Sequence, residues 1–187
     1  MIALIDLWLP ILLSAVFVFV VSSILHMLLP IHKGDYKKLS GEEKVLGTMR
    51  AQGVQPGEYM FPSTGSMKEM SSPEMIEKYK LGPVGLMTVL PSGVPTMTKS
   101  LIQWFFFSVI ISVFAAYIAT IGLKAGAEYM TVFRVTGTVA ILGYAFNHIS
   151  NSIWKGQRWI VTLKFIFDGV VYGLVTAGTF GWLWPDA

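Results

Sequence analysis

Lys164 and Asp168 stand four residues apart in a stretch, 159–184, that is otherwise apolar enough to cross a bilayer. Side chains at that spacing share one face of a helix and can neutralise each other. An ionisable residue inside a span also points by default to function, as a proton relay, an ion site or a partner for a ligand's polar group. The chain has 3 histidines, His26, His32 and His148, and Asn147 and Asn151 flank the last of them. These residues are the candidate ligand-binding set.

Each chemistry open to such a set makes its own demand. Bis-histidine haem ligation needs two imidazoles facing each other across the ring, and His26 and His148 fall at similar depth on different spans. A metal site built from His26, His148 and Asp168 would lack the H-E-x-x-H, H-x-x-E-H and E-x-x-H spacings of known sites. A quinone or lipid headgroup needs only a histidine, an aromatic and an apolar slot. No Walker A loop, G-x-G-x-x-G or G-x-S-x-G occurs. No catalytic residue is therefore assigned, and the sequence requires no cofactor. The chain has no cysteine, which excludes disulfides, iron–sulfur clusters, thiolate zinc sites and covalently attached c-type haem.

The elements that must position these residues are membrane spans. Charged residues make up 13% of the chain, against about 25% in a soluble domain. Four runs are long enough to cross: 7–29, 101–123, 131–150 and 159–184. The expected fold is an all-α membrane protein, a four-transmembrane-helix bundle forming a single domain with one long, partly structured loop, 31–97. The first run lacks a basic n-region and a small-residue cleavage site, so it reads as a retained helix. The six tryptophans fall near span ends, as an aromatic belt does.

Charge sorts by side. Nine Lys and Arg lie between the first two spans, and Lys155 and Arg158 lie between the last two. The opposite loop holds only Lys124, with Arg134 near the start of the third span, placed to snorkel outward. The positive-inside rule then puts both basic loops in the cytoplasm and both termini outside a bacterial-type inner membrane. The net charge of +3 is accounted for by this asymmetry, with no nucleic acid implied. At 1.5 Å per residue, Lys164 lies about 7 Å and Asp168 about 13 Å from the cytoplasmic end of the last span. The histidines and asparagines fall in or near the same leaflet.

The loop carries its own signals. Ser40-Gly-Glu-Glu43 predicts a capping box and a helix running to Gln52, stopped by Gly53. Ser72-Pro73-Glu74 predicts a second helix start, with Gly82 as its stop. The segments 58–61 and 86–90 are compatible with two paired strands. The basic run from His32 to Lys38 reads as an orientation signal and an anionic-lipid contact.

Small residues recur on the later spans: Ser108, Ser112 and Ala116, then Gly137 and Gly143, then Gly169, Gly173, Ala177 and Gly181. In lipid, helices associate by close van der Waals packing, and such faces permit it. We expect spans two to four to form the tight core, with the bulkier first span partly facing lipid or a partner. From these faces the leading expectation is an accessory or assembly subunit of a larger membrane complex, or a homo-oligomer, with the lipid bilayer and a membrane-protein partner or a second copy as its contacts. The alternatives are a haem-, metal- or quinone-binding redox protein and a small oligomeric transporter using Asp168.

Overall fold

The computed structural model describes residues 2–187. In chain order its elements are α1 (Trp8–Ser23), α2 (Glu42–Ala51), β1 (Gly57–Phe61), α3 (Met67–Met70), α4 (Pro73–Leu81), β2 (Gly85–Val89), α5 (Thr98–Gly122), α6 (Tyr129–Ala145), α7 (Ile149–Trp154) and α8 (Trp159–Trp182). Among the described residues, four helices are long and apolar enough to cross a membrane: Leu4–Leu28, Thr98–Gly122, Tyr129–Trp154 and Trp159–Trp182. The protein is an all-α, multi-pass membrane protein, and its spans fall within a few residues of those expected. Contacts divide the chain into two compact units. One holds the four spans and the turn up to Tyr36; the other is Lys37–Pro95.

In the spanning unit, α1 packs on α5 and α8, α5 on α6, and most extensively α6 on α8. The ridge of α8 explains that last contact. A Cβ added at Gly169 would lie 2.6 Å from the backbone of Ala145. One at Gly173 would lie 2.3 Å from the Ile141 side chain and 2.9 Å from its backbone nitrogen. One at Gly137 would lie 2.9 Å from the Ala177 Cβ, and one at Gly181 2.6 Å from the Tyr129 ring. Backbone thus meets backbone along the α6–α8 seam, the arrangement that drives helix association where no hydrophobic effect operates between helices. Gly143 serves a different seam, where its missing Cβ makes room for Ile111 of α5.

The first span joins this core more closely than its bulky composition suggested. Leu7, Ile11, Ser14, Ala15, Val18, Ser22 and Leu25 form a buried stripe at helical spacing. The Ser14 and Ser112 hydroxyls meet at 2.9 Å between α1 and α5, and Ser112 donates onward to the Ser108 carbonyl. Ser108, Ser112 and Ala116 are fully buried, so the small face of α5 receives α1. The opposite face of α1, with Leu9, Leu12, Val16 and Val20, is exposed.

The Lys37–Pro95 unit follows its turn residues. Gly41, at φ +67°, is the N-cap of α2 and its carbonyl accepts from the Lys44 amide. Ser40 stands one residue too early to cap, so the expected capping box does not form. Gly53, at φ +63°, ends that helix as expected. Ser72 caps α4 by accepting from the Met75 amide, Pro73 occupies its first turn, and Gly82 follows its end. β1 and β2 pair antiparallel from Gly57↔Val89 to Phe61↔Gly85, close to the expected strands. The short helix α3 was not foreseen.

Candidate functional site

Helix irregularities place the histidines. The first span widens into a π-helical segment, Ile24–Leu28, that carries His26, and Pro30 opens a 3-10 turn ending at His32. Such π segments recur at functional sites. Gly34 then takes φ +93°, a conformation glycine tolerates without strain, and the chain turns back. Arg158, at the start of α8, donates to the carbonyls of Gly34 and Asp35 at 3.2 and 3.3 Å and holds the turn in place. In the third span, the 3-10 turn Phe146–His148 interrupts the helix and carries Asn147 and His148.

These turns assemble a chain of polar contacts at one end of the bundle. Lys164 Nζ donates to Asp35 Oδ1 at 2.5 Å. Asp35 Oδ2 lies 2.7 Å from His32 Nδ1, and His32 Nε2 lies 2.7 Å from Asp168 Oδ2. His26 Nε2 stands 3.5 Å from that same Asp168 oxygen, and its ring stacks on His32 at 4.3 Å. The Lys164–Asp168 pair expected from their spacing is therefore not the pairing found. Lys164 turns to Asp35, and Asp168 turns inward to the histidines. Burial works against the charge of Asp35, but the hydrogen bonds and charges of Lys164 and His32 outweigh it and hold this carboxyl below the usual carboxylate range.

Asp168 is 1% exposed and its Oδ1 has no hydrogen-bond partner among the described residues. The Tyr172 hydroxyl, one turn further along α8, is also buried without a partner. Buried polar atoms of this kind are uncommon and call for an explanation such as a ligand, ion or water. Both residues line a partly open cavity of about 420 Å³ between the four spans. Its walls include the aromatic side chains of Trp104, Phe107, Tyr144, Phe165 and Tyr172, and its polar edge includes His26, Asn147, His148 and Ser100. Trp104 Nε1 donates to Ser22 Oγ at 2.9 Å, which fixes the indole in the wall.

Of the candidate residues, the fold brings His26, His32 and Asp168 into one cluster, with Lys164 joined through Asp35. Asn147 and His148 sit on the cavity wall, with His148 stacked on Phe165 at 4.8 Å. Asn151 lies in α7, outside the cavity lining. Asp35 was missed. The signal was present as an acid three residues after His32, inside a run read as an orientation signal and an anionic-lipid contact. For the bis-histidine pair, His26 directs Nε2 to Asp168 and stacks on His32, while His148 stacks on Phe165. No protein-family model, curated protein or solved structure matches the chain.

Proposed function

We propose that this protein binds a flat, lipophilic small molecule carrying a hydroxyl donor, of phenol or quinol type, in the cavity between its spans. The observation that carries the reading is Asp168 Oδ1, an acceptor without a partner, 1% exposed, beside an aromatic-walled cavity. A donor on the ligand would satisfy that oxygen, the free Tyr172 hydroxyl would supply a second contact, and the aromatic walls would take the ring. At about 420 Å³ the cavity falls within the range of small-molecule sites. We place the protein in a bacterial-type inner membrane with both termini outside, on the basic loops alone. The cavity then opens towards the cytoplasmic leaflet, from which a lipophilic ligand would enter.

The test is equilibrium binding of a short-chain quinol to protein purified in mild detergent. Tyr172→Phe and Asp168→Asn should both weaken saturable binding, the second by about tenfold or more, the worth of a hydrogen bond to a charged group. Absence of saturable binding, or unchanged affinity in both variants, overturns the reading.

The subunit reading stands second. The α8 ridge that motivated it is filled from within the chain by α6, so it supports no partner. What supports a partner or membrane-surface contact is the Lys37–Pro95 unit, where Leu81, Val84, Leu86, Leu90 and Val94 are exposed.

A further inference from the structure

We propose that His26, His32 and Asp168 form a binding site for one divalent first-row transition-metal ion, of the zinc or iron(II) kind. The inference goes beyond the small-molecule reading and does not rest on it. Its basis is the mutual placement of three side chains from the first span, the turn after it and α8.

Each of the three residues offers one ligand atom, and these atoms lie within 4.8 Å of one another. Zinc bonds to nitrogen and oxygen are about 2.0–2.2 Å, so tetrahedral ligand atoms stand roughly 3.4 Å apart. His26 Nε2 and Asp168 Oδ2 are already 3.5 Å apart. His32 Nε2 and Asp168 Oδ2 are closer, at 2.7 Å, the length of a contact bridged by a proton. An ion taking the place of that proton would widen the contact by a few tenths of an ångström.

The surroundings are those of a metal-binding histidine. A ligating imidazole as a rule gives its other nitrogen to a carboxylate or carbonyl, which sets the tautomer and the ring orientation. His32 has this partner in Asp35, 2.7 Å from Nδ1, and Lys164 in turn anchors Asp35. With Nδ1–H donated to Asp35, the proton between Nε2 and Asp168 is the one an ion would displace, which frees the Nε2 lone pair to bind it. The charges agree. Once the bridging proton has left, Asp35 and Asp168 carry two negative charges against the one positive charge of Lys164, and a divalent cation takes up the difference. The ligand types exclude the alternatives. Two imidazoles and one carboxylate suit zinc, iron(II), cobalt(II) or manganese(II), while calcium and magnesium call for oxygen ligands throughout. Three protein ligands leave a coordination position open. His26 and Asp168 both line the cavity, so the site borders it.

The competing account is a hydrogen-bonded network in which a protonated His32 bridges the two carboxylates and no metal binds. His26 separates the two, because it makes no hydrogen bond in the network and is 39% exposed. The experiment uses the full chain in mild detergent, stripped with chelator, titrated with Co²⁺ and followed by its visible absorption, with bound metal counted by elemental analysis. One ion per chain is expected, with visible bands characteristic of nitrogen and oxygen ligation. His26→Ala should abolish those bands and His148→Ala should leave them. Asp35→Asn should weaken binding about 10–100-fold, as loss of such a partner does elsewhere. If Asp35→Asn does not fold, the His26→Ala and His148→Ala pair still decides. Tyr172→Phe should bind Co²⁺ normally while losing quinol affinity, so failure of the metal site and failure of the small-molecule reading give different results. Binding of less than one ion per chain, or Co²⁺ spectra unchanged in His26→Ala, would overturn the proposal.

Discussion

The Lys164 ammonium donates to the Asp35 carboxylate at 2.5 Å, tying the turn after the first span to the second turn of α8. Asp35 is 4% exposed and Lys164 26%. The two ends of this pair are unequal. Asp35 also holds His32, whereas Lys164 has no other partner among the described residues. Removing the acid leaves a lysine and a histidine uncompensated, while removing the lysine leaves a carboxylate still bonded to His32. Asp35→Asn is therefore expected to cost about 2–3 kcal/mol and Lys164→Gln about 1 kcal/mol, after allowance for the partial exposure of the lysine. Unfolding in a denaturing detergent measures both. The double variant should cost clearly less than the sum, since the pair couples; strict additivity would mean the contact contributes nothing to stability.

The glycines of α8 make a second, sharper prediction. Gly169→Ala and Gly173→Ala each place a methyl within 3 Å of the α6 backbone, which has no flexible end to move aside. Each should destabilise the protein by about 1–3 kcal/mol or more, the cost of overpacking. Gly178→Ala is the control, because its added Cβ would meet only the Tyr129 hydroxyl at 3.8 Å. It should be neutral or slightly stabilising, since alanine is the better helix former. Because the ridge is spent inside the chain, the oligomeric state of folded protein should be the same in all three variants. A change in oligomer size without a change in stability would place the ridge between copies.

That ridge marks where sequence reading reaches its limit. Span number, span ends and helix–strand order were legible because they depend on local composition and spacing: Gly53, Gly82 and Pro73 each act within one turn of themselves. Gly169, Gly173, Ala177 and Gly181 likewise announced a close-packing face. Spacing along one helix does not name the surface that fills the face, and here Ala145, Ile141, Gly137 and Tyr129 of the same chain do so. The first span was under-read for a related reason. Its buried stripe mixes Ser14, Ala15 and Ser22 with Leu and Val, so it lacks a clean small-residue period.

The site was legible in part. Depth along alternating spans put the three histidines, Asn147, Asn151, Lys164 and Asp168 in one leaflet, and the structure places His26, Asn147, His148 and Asp168 on one cavity wall. The partners within that gathering depend on the turn at Gly34, which brings His32 and Asp35 back against α8. A four-residue spacing on one helix suggested Lys164 with Asp168. The fold offers each a better partner from another element, and a buried carboxylate between two histidines replaces a self-contained pair.

Which side of the membrane this end faces is open to direct measurement, and the absence of cysteine makes the experiment clean. Lys68 in the long loop and Ala125 in the loop between α5 and α6 are both exposed, so Lys68→Cys and Ala125→Cys should fold normally. The segment between the first two spans, which includes the long loop, carries nine basic residues, and the α5–α6 loop has only Lys124. The positive-inside bias then predicts that a membrane-impermeant maleimide added to intact cells labels Ala125→Cys and spares Lys68→Cys until the membrane is broken. The opposite pattern would invert the protein and turn the cavity, with Asp168 in its wall, towards the outer leaflet. Labelling of both sites in intact cells would mean that chains insert both ways, and that charge alone does not set the orientation.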